Sequence, residues 1–275
     1  MTPAPSREDL PAPLRTALIE VANRLADAAR EPTLRHFRTA LAADSKETAR
    51  FDPVTEADRA SERAMREILA ELRPQDAILG EEYGAKSGTS GLTWVLDPID
   101  GTRGYLIGGP TWGVLISVAD EQGPRLGIID QPYIGERFIG GLGLAEVTGP
   151  MGRATLATRG PRPLSEALVM TTFPEIGSTE EAAAFRRVAD RARLVRYGMD
   201  CYAYALVAAG QVDLVIEAGL QPYDVQAPIA VITAAGGIVT GWDGGPAHDG
   251  GRILAAANPA IHSEALALLQ GDAGA

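Results

Sequence analysis

Apolar positions along the chain follow two periods. Leu14, Ala17, Leu18, Val21, Ala22, Leu25 and Ala28 recur at helical spacing, which predicts an amphipathic helix over residues 10–30. A second helix is predicted over 55–72, with Ala57, Ala64, Met65, Ile68, Leu69 and Leu72 on its apolar side and Pro74 as its stop. Short apolar runs at 76–80 and 93–97 predict strands, separated by a polar loop from Gly84 to Gly91. The runs 112–119, 125–130 and 136–140 predict an antiparallel meander, turning at Gly123-Pro124 and Gly135. Residues 141–163 are rich in Gly, Pro and Arg and mark a boundary, dividing the chain into halves at 1–145 and 146–275.

Beyond that boundary strands and helices alternate. Strands are predicted at 167–171, 194–197, 212–217, 238–242 and 252–257, and helices at 179–191, 201–209, 224–235 and 260–270. The first half reads as α+β, with helices on an antiparallel sheet, and the second as an α/β layer. Residues 1–9 read as a loose, proline-containing lead, and no internal repeat occurs.

Composition narrows the class. A chain of 275 residues is long enough for about two domains or one large one and buries a core without disulfides. Lys and Arg number 25 against 36 Asp and Glu, a net charge of −11. Such a surface repels phosphate backbones, so nucleic acid is not an expected partner. The single cysteine, Cys201, excludes an intrachain disulfide and fits a reducing compartment. It lies in an apolar helical run and reads as core. No stretch reaches the ~18 apolar residues of a membrane span, and residues 1–9 lack the apolar centre of a secretion signal. The expectation is a cytoplasmic protein with no membrane partner.

The chemistry concentrates in Trp94-Val-Leu-Asp-Pro-Ile-Asp-Gly-Thr102. An apolar strand runs into Asp97, Pro98 stiffens the exit and Asp100 follows at i+3. Gly101 allows close backbone approach, and a short helix can begin at Thr102. Two carboxylates beside free backbone N–H groups suit a hard cation, Mg²⁺ or Mn²⁺, together with a phosphate. The same residues also suit a solvated turn. Glu81 leaves another strand end in Gly80-Glu81-Glu82, and Asp224 opens an apolar helix, where it reads equally as an N-cap. Thr55 and Asp58 precede the second helix in a capping arrangement that also suits the orientation of a water.

Other mechanisms lack their residues. His36, His248 and His262 are scattered, so zinc hydrolysis has no ligand set. There is no G-x-S-x-G elbow and no phosphate-binding P-loop. The acids at 97 and 100 are three apart, unlike the D-x-D of haloacid-dehalogenase-like phosphatases. On a regular strand they point to opposite faces.

Four segments together resemble a known family. Asp52-x-Val-Thr-x-x-Asp58, Gly80-Glu-Glu82, Trp94-x-x-Asp-Pro-Ile-Asp-Gly-Thr102 and Tyr223-Asp224…Ala235-Gly-Gly237 are similar, in order and spacing, to the motifs of the inositol-monophosphatase-like, Mg²⁺-dependent phosphatases. The resemblance implies an alternating αβαβα layered sandwich, a homodimer and hydrolysis of a small-molecule phosphate monoester. It makes Glu81, Asp97 and the Ile99 carbonyl ligands of one metal, and Asp97, Asp100 and Asp224 ligands of a second. A third, weaker ion would reach Glu81, giving two to three Mg²⁺ per site. Thr102 and Asp58, through Thr55, would orient the water, and the N–H groups of Gly101 and Thr102 would bind phosphate. The chemistry implied is direct attack of a metal-activated water without a phosphoenzyme.

Within the family, Asp-Gly-Thr-Arg103 and Asp200-Cys-Tyr-Ala-Tyr204 look more like the histidinol-phosphatase branch than the inositol branch. L-Histidinol phosphate carries an amine and an imidazole. Asp200 and Glu217 are candidates to pair with those groups, and Arg103 to assist phosphate. Asp200 as a helix cap and Arg103 as a surface ion-pair partner are the plainer readings. Inositol 1-phosphate, or a broad range of phosphomonoesters, is the alternative substrate, and a silent metal-binding regulator is the reading from another class. Pro228 departs from the branch pattern but falls in the first turn of its predicted helix, where proline is tolerated.

Overall fold

The computed structural model describes residues 10–38, 44–45, 53–54 and 56–271. The lead at 1–9, Asp52 and Thr55 lie outside them. In chain order the elements are α1 (Ala12–His36), β1 (Asp44–Ser45), β2 (Pro53–Val54), α2 (Glu56–Leu72), β3 (Ala77–Gly80), β4 (Gly84–Lys86), β5 (Thr93–Asp100), α3 (Thr102–Leu106), β6 (Gly113–Asp120), β7 (Gly123–Gln131), β8 (Glu136–Gly141), β9 (Leu144–Gly149) and β10 (Gly152–Thr155). The second half continues with β11 (Leu168–Thr171), α4 (Thr179–Ala189), β12 (Leu194–Tyr197), α5 (Asp200–Ala208), β13 (Leu214–Leu220), α6 (Pro222–Ala234), β14 (Ile238–Gly241), β15 (Gly251–Ala256) and α7 (Pro259–Gln270).

Two sheets organise these elements. An eight-stranded sheet runs β10-β9-β8-β7-β6-β5-β3-β4, antiparallel except where β3 lies parallel to β5. A five-stranded sheet runs β12-β11-β13-β15-β14, with β11 parallel to both its neighbours.

Three hydrophobic clusters fill the four interfaces between five layers. Leu18, Leu25, Met65 and Leu69 of α1 and α2 pack on Trp94, Leu96, Ile116 and Ile128 of the first sheet. The other face of that sheet meets α5 and α6 through Leu115, Ile129, Val225 and Val231, and those helices pack on Val215, Ile253 and Ala255 of the second sheet. Phe185 and Leu268 of α4 and α7 cover the far face through Leu214 and Leu254. The order is helix, sheet, helix, sheet, helix, the expected αβαβα sandwich. It explains why β6 and β7 are apolar on both faces rather than alternating. The helix α6 approaches β7 so closely that a Cβ on Gly127 would lie 2.4 Å from the Ala227 carbonyl oxygen.

Some boundaries differ from the sequence reading. The first helix continues to His36, through Pro32, and α6 begins at Pro222, so Pro228 lies inside that helix and not in its first turn. The polar loop contains β4, and β5 extends three residues past Asp97. The Gly- and Pro-rich segment is mostly sheet: β9 and β10 carry the meander on to Thr155, so a division at residue 145 runs through β9.

Candidate active site

The site forms where strand ends and helix N-termini meet. In the parallel β3–β5 pair Gly80 is opposite Leu96, and the Glu81 N–H donates to the Leu96 carbonyl at 3.2 Å. Glu81 therefore leaves the sheet beside Asp97. On its other side β5 pairs with β6 at Asp97–Leu115 and next at Asp100–Gly113. Three steps on β5 thus match two on β6, a bulge around Pro98. The bulge breaks the alternation, so the expectation of opposite faces for Asp97 and Asp100 is wrong. One carboxylate oxygen from each of Asp97, Asp100 and Asp224 lies within 4.8 Å of the other two.

Local hydrogen bonds fix this end of the cleft. Asp97 Oδ1 accepts the Ile99 N–H at 3.1 Å, and Thr102 Oγ1 donates to the Ile99 carbonyl at 3.1 Å. Gly101 takes φ +85° and caps α3, a left-handed conformation that disfavours any other residue. Asp100 Oδ2 accepts the Cys201 N–H at 2.5 Å, at the N-terminus of α5. Asp224 is the third residue of α6, not its cap, and its Oδ2 accepts the Gln221 N–H at 2.6 Å.

Burial and mutual repulsion disfavour charge on these acids. Burial, then Glu81, Asp100, Asp224 and Asp58, push the Asp97 carboxyl well above its usual range. Asp100 is raised first by burial, then by Asp200 and Asp224. Asp224 is raised to about 6 by burial, against the lowering effect of its Gln221 bond. Several converging carboxylates, all offering oxygen, fit a divalent hard cation placed between them.

The adjoining wall carries the other candidates. Together they line a cleft of about 980 Å³ that includes Glu81, Asp100, Thr102, Arg103, Asp200, Glu217 and Asp224. Asp200 does not occupy the cap position of α5, which is Met199; it is the helix's first residue, at φ +45°. Its carboxylate sits against the first turn of α3, where a Cβ on Gly101 would come within 2.8 Å. Positive φ at a non-glycine residue costs about 1–3 kcal/mol and clusters at functional sites. Burial raises the Asp200 carboxyl and Arg103 lowers it. The Arg103 guanidinium also stacks 5.0 Å from the centre of the Phe173 ring. Glu217, on β13, accepts the Thr172 N–H at 2.6 Å and the hydroxyls of Thr172 and Thr171 at 2.9 and 3.1 Å. Burial nevertheless raises it to about 7. Asp58 is buried at the start of α2.

A family model described as the inositol monophosphatase family matches residues 14–272. The chain belongs to the inositol monophosphatase family. Members of this family are metal-dependent, and the acid cluster here could hold a metal ion. The chain is 40% identical over 261 residues to the bifunctional phosphatase IMPL2, chloroplastic, of Arabidopsis thaliana, covering 91% of this chain and 74% of that protein. It is 35% identical over 265 residues to a histidinol-phosphatase of Streptomyces coelicolor, covering 91% and 96%. Among solved structures, an inositol monophosphatase from Zymomonas mobilis superposes with a TM-score of 0.82 at 36% identity, covering 93% and 98%. No described helix of this family member is long and apolar enough to cross a membrane.

Sequence reasoning missed several of this phosphatase's cleft residues. Thr171 and Thr172 hold Glu217, and Phe173 stacks on Arg103. The Tyr204 hydroxyl is buried in the cleft with no hydrogen-bond partner among the described residues. Only its position in the Asp-Cys-Tyr-Ala-Tyr run signalled it.

Proposed function

We propose that this protein is a Mg²⁺-dependent phosphomonoesterase that hydrolyses L-histidinol phosphate to L-histidinol and phosphate, a step of histidine biosynthesis. The observation that carries the reading is one cleft with two acidic groups: Asp100 and Asp224 at one end, backed by the buried Asp97, and Asp200 with Glu217 on the adjoining wall.

Glu81, Asp97, Asp100, Asp224 and the Ile99 carbonyl would hold two Mg²⁺, with a third reaching Glu81. Bound there, the metal neutralises phosphate charge and makes water a nucleophile at neutral pH. The chain's own groups do the rest. The N–H groups of Gly101 and Thr102, at the start of α3, would bind the phosphate. The Thr102 hydroxyl, and Asp58 through Thr55, orient the water for in-line attack. Arg103 adds positive charge at the phosphate side. Asp200 and Glu217 pair with the amine and imidazole; a cationic substrate favours the ionised carboxylate and pulls Glu217 down from about 7. We further propose a cytoplasmic homodimer, in keeping with the family likeness and the single cysteine.

The second reading is an inositol 1-phosphate or broad-specificity phosphatase, favoured by the likeness to the Zymomonas mobilis inositol monophosphatase. Asp200→Asn separates the two. On the first reading it lowers kcat/KM for histidinol phosphate by ~10-fold or more and leaves glycerol 2-phosphate turnover unchanged. An equal change for both substrates removes Asp200 from substrate recognition.

A further inference from the structure

We propose that Glu62 is a positioning residue: its buried carboxylate holds the β3–β4 turn in the shape that places Glu81 beside Asp97. The proposal rests on the reading of Glu81 as a metal ligand. Glu81 is the first residue of a three-residue connection, closed where Gly80 pairs with Gly84. Glu62 reaches it from α2 with no solvent exposure. Its Oε2 accepts the Glu82 N–H at 2.7 Å and its Oε1 the Tyr83 N–H at 3.2 Å. Arg66, one turn along the helix, donates to Glu62 Oε1 at 2.7 Å and to the Gly84 carbonyl at 2.5 Å. One ion pair thus ties two donors and one acceptor of the turn that carries Glu81. The fit is close: a Cβ on Gly80 would lie 2.0 Å from Glu62 Oε1.

Stability alone gives little reason for this arrangement. A short hairpin at the sheet edge forms without a buried carboxylate, and desolvation offsets much of a buried pair's attraction. What the pair supplies is geometry. Two consecutive amides held by one carboxylate leave the turn a single shape, and Glu81 follows from it. Asp58 lies four residues before Glu62 on the same helix, so one rigid element places both the acid beside the water site and the clamp on Glu81. Groups that orient ligating side chains typically change metal affinity 10–100-fold when removed.

The test is Mg²⁺ binding to metal-stripped protein by titration calorimetry, alongside the Mg²⁺ concentration for half-maximal activity, the substrate KM and the melting temperature. Glu62→Gln is expected to weaken Mg²⁺ binding by ~10-fold and raise the half-maximal Mg²⁺ by the same factor. Saturating Mg²⁺ should recover most of kcat with KM unchanged. Arg66→Lys, which keeps a cation beside Glu62 but loses the bond to Gly84, should shift affinity in the same direction by less; it decides the matter if Glu62→Gln does not fold. Parent-like affinity in either variant, even with a lowered melting temperature, overturns the positioning role. Glu81→Gln is the control. If it too binds Mg²⁺ like the parent, the ligand reading of Glu81 fails; if only Glu81→Gln weakens binding, the clamp alone fails.

Discussion

Glu217→Gln isolates the energetic penalty of a buried acid in the cleft. Burial raises the Glu217 carboxyl from 4.5 to about 7, despite three hydrogen bonds that favour its charged form. A raised folded-state pKa contributes stability that is present in full below 4.5 and lost as pH rises through 7. The interval is about 2.5 units, so deprotonating the folded protein at pH 9 costs about 3 kcal/mol relative to pH 4. Glutamine keeps the oxygen that accepts from Thr172 N–H and hydroxyl, and it has no proton to lose. Thermal unfolding in EDTA, followed by circular dichroism, should show parent and variant alike at pH 5. At pH 9 the variant should melt higher by roughly 6–12 °C, since about 1 kcal/mol is worth 2–4 °C in a chain of this size. Acids that do not face Glu217 titrate equally in both proteins and cancel in the difference; Asp200, which raises Glu217, is eased by its neutralisation and adds to the gain at pH 9. A melting difference of the same size at pH 5 and pH 9 would refute the reasoning. A stabilised variant that no longer prefers histidinol phosphate would show that the acid is kept for recognition at the expense of stability.

Two further variants probe separate parts of the account. Asp97→Asn removes one charge from the convergent acids while keeping their shape; kcat/KM should fall more than ~10²-fold with the melting temperature in EDTA unchanged or higher, and normal turnover would refute the site. Tyr105→Phe removes the hydroxyl that donates to the Thr33 carbonyl at 2.7 Å but keeps the stacking on Phe37 and Trp112, so urea unfolding should report a loss of about 1–3 kcal/mol; an unchanged stability would mean that this bond adds nothing.

Much of the fold is legible in the chain because its layers impose strong periodicity. The apolar stripe from Leu14 to Ala28 and the double-faced strands around Ile116 and Ile128 follow directly from what each face buries. The strands β9 and β10 were hidden because Gly141, Gly143 and Gly152 look like linker residues, whereas their positive φ angles form hairpin turns. The facing of Asp97 and Asp100 was misread for a related reason. Strand alternation is a local rule, and the bulge at Pro98 is visible only in the pairing with β6. Glu62 lies among Arg59, Arg63 and Arg66 and looks like part of a solvated helical face; its burial depends on a hairpin 20 residues away. The four acids at 81, 97, 100 and 224 are recoverable from motif spacing, whereas the threonines behind Glu217 arise from tertiary convergence, and the burial of the Tyr204 hydroxyl, with no hydrogen-bond partner among the described residues, shows only in the fold.

Inorganic phosphate release from L-histidinol phosphate and inositol 1-phosphate, measured in parallel with Mg²⁺ and again with EDTA, decides metal and substrate together. Release should depend on Mg²⁺, vanish in EDTA and return with added Mg²⁺, with kcat/KM at least ~100-fold higher for histidinol phosphate, about 2.7 kcal/mol of differential transition-state stabilisation. Equal or reversed values for the two substrates would contradict the assignment of Asp200 and Glu217 to substrate recognition, and release that persists in EDTA would contradict the metal site itself.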